Sequence, residues 1–274
     1  MLRGYYTAAS GMIAQQRRQE VLSNNIANAT TPGYKQDQGI LRAFPELLIQ
    51  KMGTETAPTA RQLKLPIQTP IGSLNTGVYM QEAVPDFQQG SLKDTGIGTD
   101  MALVNGTMPD PSGSVFYTVQ NETGDIRYTR NGNFTVDGQG YLVTNQGYYV
   151  LDQAGARIST DGLEFDVTDE GTVQTANQAM PLGISYSPNA NDLVKEGNGL
   201  YQLANDGEAM QNARNNPNIS FQVKQGFLEQ SNVDPAKTMT DMMEAYRSFE
   251  ASQRVLKAYD QSMEKTVNQI ARLR

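Results

Sequence analysis

The C-terminal stretch Asp234–Arg274 constrains the fold most, because its apolar side chains recur in alternating steps of three and four. This heptad-like stripe extends over more than four repeats and passes through the polar residues Gln253 and Asp260. Asp234 can cap a first turn, and Pro235 suits the first helical position. The pattern predicts one helix from Pro235 to about Arg272, roughly 55 Å long. The apolar members of the stripe are Met239, Met242, Tyr246, Phe249, Leu256, Met263, Val267 and Ile270.

A stripe this narrow must be covered by another helix, and the sequence offers a partner in Leu2–Asn28. That segment has a looser apolar period with small residues between, and it ends at the turn signal Pro32-Gly33. It is too weakly amphipathic to be stable alone. We predict that the two ends pair as a coiled-coil-like tail, within one chain or between chains. The alternative is that the C-terminal helix is a long core helix of an ordinary domain.

Composition excludes several function classes. The 274 residues contain no Cys, no His and no Trp, which removes thiolate nucleophiles, zinc–thiolate sites and Ser-His-Asp triads. No apolar run is long enough for a transmembrane helix. Residues 52–232 carry 9 Lys/Arg against 20 Asp/Glu, so nucleic-acid binding is disfavoured. We expect no enzyme activity, no cofactor, no metal and no small-molecule substrate.

The middle of the chain predicts β structure, and the whole is therefore an α+β protein. Residues 80–232 form the expected central β-rich domain, with short alternating runs between turn signals. Residues 36–79, rich in Thr, Gly and Pro, read as a transitional linker with short strands. Residues 1–35 and 233–274 make up the terminal helical assembly domain. The predicted hairpin turns are Asn105-Gly106, Asn131-Gly132, Asp137-Gly138, Asp161-Gly162 and Asp206-Gly207.

Two local patterns have both a structural and a functional interpretation. Asn131, Asn133 and Asp137 suggest a calcium loop, but the bidentate Glu is missing and turn chemistry explains them better. A set of tyrosines could stack on sugars, although packing on strand faces is the simpler interpretation. These tyrosines are Tyr117, Tyr128, Tyr141, Tyr148 and Tyr149.

Four motifs together resemble the flagellar basal-body rod and hook protein family. The N-terminal one joins Asn24-Asn25-Ile26-Ala27-Asn28 to Thr31-Pro32-Gly33-Tyr34-Lys35. The central ones are Gly90-Ser91-Leu92-Lys93-Asp94-Thr95-Gly96 and Tyr128-Thr129-Arg130-Asn131-Gly132-Asn133-Phe134. The C-terminal one begins at Leu228-Glu229-Gln230-Ser231-Asn232-Val233 and continues through residues 242–250. The length is similar to distal-rod-type members, and the run 42–46 resembles variants from Gram-positive bacteria.

The resemblance implies a structural subunit of the flagellar rod. Such a subunit would assemble through its terminal helices into a hollow helical filament that transmits torque to the hook. Its partners would be copies of itself, neighbouring rod and hook subunits, and the flagellar export apparatus, with the basal body as its location. Export would favour termini that are disordered before assembly. The alternative function is a cell-envelope module that binds carbohydrate or acts on peptidoglycan.

We expect the assembly contacts to come from both ends of the chain. The asparagines near the end of the first helix either cap and fray it or bond neighbouring backbones in a packed assembly. The loop 107–113 is longer than relatives of this kind have, which affects any neighbour contact at that corner. Besides the C-terminal stripe, the expected interface residues are Met12, Leu22, Asn24, Asn25, Ile26, Asn28, Gly33 and Tyr34.

Overall fold

The computed structural model describes residues 2–56, 64–160, 162, 164–176, 178–203 and 209–270. It has an N-terminal helix, a β-rich middle and a C-terminal helix, which makes it an α+β protein as predicted. The chain forms two compact units, named here the helical unit and the β unit. The helical unit comprises Met1–Asn24, Gln38–Val84 and Ala236–Arg274. The β unit comprises Asn25–Asp37 and Pro85–Pro235.

Two long helices dominate the helical unit. Helix α1 is Leu2–Ala27 and helix α2 is Pro235–Ile270. Both predicted helices are therefore confirmed to within two residues at the ends that the structure describes. Neither is long and apolar enough to cross a membrane.

Four strands complete the helical unit, and they form two separate antiparallel pairs. Strand β1 pairs with β4, and β2 pairs with β3 in a hairpin. The bounds are β1 Asp37–Ala43, β2 Leu47–Thr56, β3 Lys64–Leu74 and β4 Val78–Pro85.

The expectation of only short strands in residues 36–79 was wrong. Strands β2 and β3 have 10 and 11 residues and pair from Leu47↔Leu74 to Thr56↔Lys64. The prolines of β3 suggested a linker. In a two-stranded hairpin each strand has a free edge, so a proline can turn its missing donor away from the partner.

The β unit contains strands β5 to β20. The largest sheet that the described residues show has the order β16-β17-β8-β7-β11-β10-β9; β15 joins it by pairing with β7, and β18 pairs with β15. The strands from β5 are Leu92–Asp94, Met101–Asn105, Ser114–Gln120, Ile126–Thr129, Phe134–Val136, Leu142–Thr144, Tyr149–Val150, Asp166–Val167, Thr172–Gln174, Ala179–Pro181, Ile184–Ser187, Leu193–Gly197, Leu200–Leu203, Gln211–Asn212, Phe221–Gln225 and Phe227–Glu229.

The hydrophobic core lies in the β unit. Its centre contains Met101, Leu103 and Val223, which are fully buried, and Phe134 packs edge-on against Tyr117 at 5.1 Å between ring centroids. A smaller cluster gathers Phe116, Tyr128, Leu193 and Tyr201. Packing therefore accounts for three of the five tyrosines considered as sugar platforms, since Tyr117 and Tyr128 are buried and Tyr148 packs against the core.

Two of the predicted hairpin turns were wrong. After Asn105-Gly106 the chain does not fold back, because β6 pairs with β19, from Phe221↔Asn105 to Gln225↔Met101. The glycine of Asn131-Gly132 instead allows close approach, since a Cβ at that position would collide with the carbonyl oxygen of Met101. Asp137-Gly138 does lie in the β9–β10 hairpin. Asp161 and Asp206-Gly207 lie outside the described residues.

Candidate assembly surface

The four sequence motifs meet at one buried carboxylate of the β unit, Glu229. Its Oε1 accepts hydrogen bonds from Lys35 Nζ at 2.7 Å and from the backbone N–H of Gly90 at 3.0 Å. Its Oε2 accepts one from Arg130 Nε at 2.6 Å. Each of these four residues comes from a different motif. The motifs therefore share a structural purpose within one chain.

Arg130 is only 1 % exposed, and each nitrogen of its guanidinium donates a hydrogen bond within the protein. Its guanidinium donates to Asn105 Oδ1 and to the carbonyl oxygen of Leu103, both at 2.8 Å. Lys35 Nζ also donates to the carbonyl oxygen of Gln88 at 2.7 Å. Buried charges are tolerated only when they are paired and hydrogen-bonded to this degree, and losing one partner leaves the others uncompensated.

The ionisation of this cluster follows from burial and pairing. Burial lowers the pKa of Lys35, and the neighbouring Glu229 opposes that shift. For Glu229, burial alone would raise the pKa, but Arg130 and Lys35 outweigh it and hold the pKa below its usual value. The carboxylate therefore stays charged at neutral pH, where it bridges the two cations.

A second anchor fixes the end of the N-terminal motif through Asn25. Its Oδ1 accepts hydrogen bonds from Tyr34 Oη at 3.0 Å and from the N–H of Asp37 at 2.9 Å, and its Nδ2 donates to the carbonyl of Asp37. Lys195 Nζ lies 3.0 Å from both carboxylate oxygens of Asp37 and 4.0 Å from the Tyr34 ring centroid. The segment 25–37 is thus built into the β unit.

Glycine is the only residue type that fits at position 33. Its φ is +69°, and its N–H donates to the backbone carbonyl of Glu229 at 2.8 Å. A Cβ there would lie 2.6 Å from the backbone of Arg130. Both the left-handed conformation and the close approach require glycine.

The predicted apolar stripe of α2 divides between covered and exposed side chains. Met242, Phe249, Leu256 and Met263 are partly covered. Met239, Tyr246 and Val267 are 51 %, 53 % and 67 % exposed. The side chain of Ile270 lies outside the described part of the structure. One edge of the stripe therefore faces other residues of the chain, and the other edge is open.

The predicted interface residues of the first motif also differ in exposure. Leu22, Asn25, Gly33 and Tyr34 are buried, and Asn24 is exposed. The three that are half-buried are Met12, Ile26 and Asn28.

Small residues of α1 lie close to α2 within the helical unit. A Cβ on Gly4 would collide with the Tyr259 ring, and one on Gly11 would lie 3.7 Å from Ser252 Oγ. Residue numbers rise along α1 as they fall along α2, so the two helices run antiparallel where they meet. The small side chains of α1 allow this approach, as the sequence suggested.

Exposed apolar side chains are concentrated in the helical unit. Of the 18 large hydrophobic residues that are exposed in the described part of the chain, 15 belong to it and three, Ile97, Ile126 and Val194, belong to the β unit. Among the residues whose burial the structure describes, 32 apolar ones are buried, and only Ala14, Leu22 and Ala245 of these belong to the helical unit. This unit exposes apolar surface that a solitary protein would bury.

The described residues contain no cluster of acids, histidines or cysteines that could hold a metal ion. A closed β core joined in sequence to helices with open apolar faces is typical of a structural protein that associates with other protein chains.

Comparison with known proteins gives the family. Three family profiles match in chain order: "Flagella basal body rod protein" over residues 6–35, "Flagellar hook protein FlgE/F/G D1 domain" over 112–175 and "Flagellar basal body rod FlgEFG protein C-terminal" over 224–270. The chain belongs to the flagellar basal-body rod and hook protein family. It is a structural protein of the flagellar basal body and not an enzyme, so the carbohydrate-binding or peptidoglycan-acting alternative is dropped.

Relatives match along the whole length. The "Flagellar hook-basal body complex protein FlhO" of Bacillus subtilis is 44% identical over 283 aligned positions, covering 100% of both chains. The "Flagellar basal-body rod protein FlgG" of Borreliella burgdorferi is 30% identical over 95% of this chain and 96% of the relative. That of Bacillus subtilis is also 30% identical, over 98% and 99%.

Lys35, Arg130 and Glu229 lie inside the sequence motifs, but the sequence alone did not assign them a role. A signal was present, since each is a single charged residue inside or beside a run of apolar or turn residues. Their meeting point depends on pairing between distant strands. No spacing along the chain reveals that.

Proposed function

We propose that this protein is a rod subunit whose terminal helices pack against those of neighbouring copies, forming a hollow helical filament that transmits torque to the hook. The observation that carries the proposal is the open apolar surface of the helical unit, whose described residues include 15 exposed large hydrophobic ones. Burying one such side chain fully contributes about 1.5–3 kcal/mol. Several buried together suffice to hold subunits in a filament.

The helices support contact with more than one neighbour. On α2, Met239, Met243 and Tyr246 follow one another at helical spacing and are all more than half exposed. On α1, Tyr6 and Ile13 are seven residues apart and are 64 % and 52 % exposed. Coiled-coil-like packing between copies would cover these faces. Contacts between different faces propagate as an open helical filament when the rotation between successive subunits does not close a ring.

The buried anchors refine the assignment of domains. We predicted a terminal helical assembly domain of residues 1–35 and 233–274, a transitional linker of 36–79 and a central β-rich domain of 80–232. Since Asn25–Asp37 belongs to the β unit, we place the assembly helices at 1–24 and 236–274. Asn25, Gly33 and Tyr34 then act indirectly, by fixing where α1 leaves the β unit.

Partners and export follow the same division. The proposed partners are copies of this chain, the neighbouring rod and hook subunits, and the export apparatus that delivers the subunit. We expect α1 before Asn25 and α2 to be mobile before assembly, because their apolar faces lack cover. Hydrogen exchange in dilute protein should show protection beginning near Asn25.

A matched pair of variants tests the proposed assembly. Serine at Met239, Met243 and Tyr246 removes the open face of α2, and we expect a folded protein that fails to join the filament and cannot support motility. The control places serine at Ile97, Ile126 and Val194, the exposed hydrophobic residues of the β unit. It should assemble normally. Normal assembly of the first variant contradicts the proposal.

A deletion gives the coarser test. Removing Pro235–Arg274 should leave the β unit folded, as judged by its tyrosine circular dichroism, and should abolish incorporation and motility. A deleted protein that still joins the filament excludes α2 as an assembly element.

A further inference from the structure

Sulfur in this chain is confined to methionine. The sequence has 12 methionines and no cysteine, so two-electron oxidation of sulfur can occur only on a thioether. The structure describes every methionine except Met1. Among those that it describes, only Met52, Met239 and Met243 are exposed, at 79 %, 51 % and 55 %, whereas Met101 is fully buried. Because an oxidant must reach the sulfur atom, we expect its attack to be selective for the exposed residues.

Two of the exposed methionines lie on the open face of α2. Met239 and Met243 are four residues apart within this helix, so their side chains are neighbours on its surface. Tyr246 extends the same face and is also more than half exposed, whereas Met242, on the other edge of the stripe, is partly covered. An unbranched, polarisable thioether adapts to an irregular partner surface, which suits methionine to such a contact.

Oxidation reverses the polarity of this face. A lone pair of the thioether sulfur attacks one oxygen of hydrogen peroxide, and the S–O bond forms as the O–O bond breaks. The hydroxide that leaves takes the proton from the new S–OH group and becomes water. Sulfur thus loses two electrons and peroxide gains them. The product is a sulfoxide, a polar and chiral group, and burying a polar group in an apolar contact without a hydrogen-bond donor is unfavourable.

We propose that Met239 and Met243 form a redox-sensitive modification site on α2, at which peroxide converts the free subunit into a form that cannot assemble. In the filament, neighbouring copies cover both sulfur atoms and protect them. The modification is reversible, because methionine sulfoxide reductases restore the thioether. This proposal rests on the proposed function, since it concerns the α2 face that neighbouring copies cover. It adds a chemical control over when that face can be used.

Peptide mass mapping after graded peroxide treatment tests the selectivity. Dilute wild-type protein is treated with hydrogen peroxide, quenched and digested, and the gain of one oxygen is quantified at each methionine. Met239 and Met243 should oxidise about tenfold or more faster than Met101, because the Met101 sulfur is reached only when the β unit opens. Equal rates for these three residues contradict the proposal.

The ratio of filament yield after peroxide treatment to the yield before it tests whether these two sulfurs control assembly. For wild type this ratio should fall about tenfold or more once both positions are oxidised, and reductases for both sulfoxide epimers should restore it. Leucine is similar in volume and has no sulfur, so Met239→Leu combined with Met243→Leu should keep the ratio near one. Met52→Leu is the matched control. It removes the most exposed methionine that the structure describes, and its ratio should fall as in wild type.

The outcomes separate this proposal from the proposed function. Reduced wild-type protein that never assembles overturns both. Reduced wild type that assembles, together with protein oxidised at Met239 and Met243 that assembles equally well, overturns only the redox site. Peroxide sensitivity that persists in the double leucine variant, or that disappears in Met52→Leu, also overturns only the redox site, because the sensitive sulfur then lies elsewhere. In preformed filaments Met239 should oxidise about tenfold or more slowly than in the monomer. Equal rates in the two states contradict both proposals.

Discussion

The two units differ in how far they bury their apolar residues. The β unit encloses a core of 0 %-exposed residues such as Leu103 and Tyr117, and the four motifs converge there on an ion cluster whose charged residues are at most 2 % exposed. The helical unit has two long helices and a hairpin but almost no core, and its apolar residues stay open. The β unit therefore closes its core within one chain, whereas the helical unit leaves open the apolar surface that neighbouring copies would cover in the proposed assembly.

The largest expected loss of stability comes from breaking the ion cluster of the β unit. Glu229→Gln leaves Lys35 and Arg130 buried without a counter-charge, which should cost about 3–5 kcal/mol in the free energy of unfolding. Urea denaturation followed by circular dichroism measures it. Asp125→Asn is the matched control, because Asp125 pairs with Arg127 at 3.7 Å on the surface, and it should cost less than about 1 kcal/mol. Equal losses in the free energy of unfolding from Glu229→Gln and Asp125→Asn would show that burial does not determine how strongly the ion cluster stabilises the fold.

The same substitution in the two units sharpens the comparison. Met101→Ala removes a fully buried side chain and should lower the free energy of unfolding by about 2–5 kcal/mol. Met243→Ala changes a side chain that is 55 % exposed and should lower it by about 0.5 kcal/mol or less. The filament yield per amount of folded protein should respond in the opposite order, so Met243→Ala should lower it more than Met101→Ala. A large loss of monomer stability from Met243→Ala would mean that α2 is already packed.

Much of this organisation was predictable from the sequence, and the limits have physical causes. Both helices follow from local signals, namely the cap and proline before α2 and the Pro32-Gly33 turn after α1. The two wrong turns, at Asn105 and Asn131, fail because glycine there serves close approach between distant segments. The β2–β3 hairpin was missed because proline usually breaks strands but is tolerated at an edge. The ion cluster needs three distant segments at once, which local patterns do not contain.

The smallest expected effect concerns pH. The pKa of Glu229 is lowered in the folded state, so its contribution is present above the unfolded pKa near 4.5 and is lost as pH falls below that value through the folded pKa. The stability difference between wild type and Glu229→Gln should therefore narrow as pH decreases below about 4.5. Urea midpoints measured from pH 7 to pH 3 test this. If the stability difference between wild type and Glu229→Gln stays constant from pH 7 to pH 3, the charge of Glu229 is excluded as the source of that difference.

Thiol labelling of Met243→Cys tests most directly whether neighbouring copies cover the helical unit. In dilute monomer the new thiol should react quickly, as expected at a position that is 55 % exposed. In assembled filaments its reaction should slow by about tenfold or more, because a thiol within a packed contact is reached only through local opening. Ile126→Cys on the β unit should react equally in both states. Equal reactivity of Met243→Cys in monomer and filament would contradict the account.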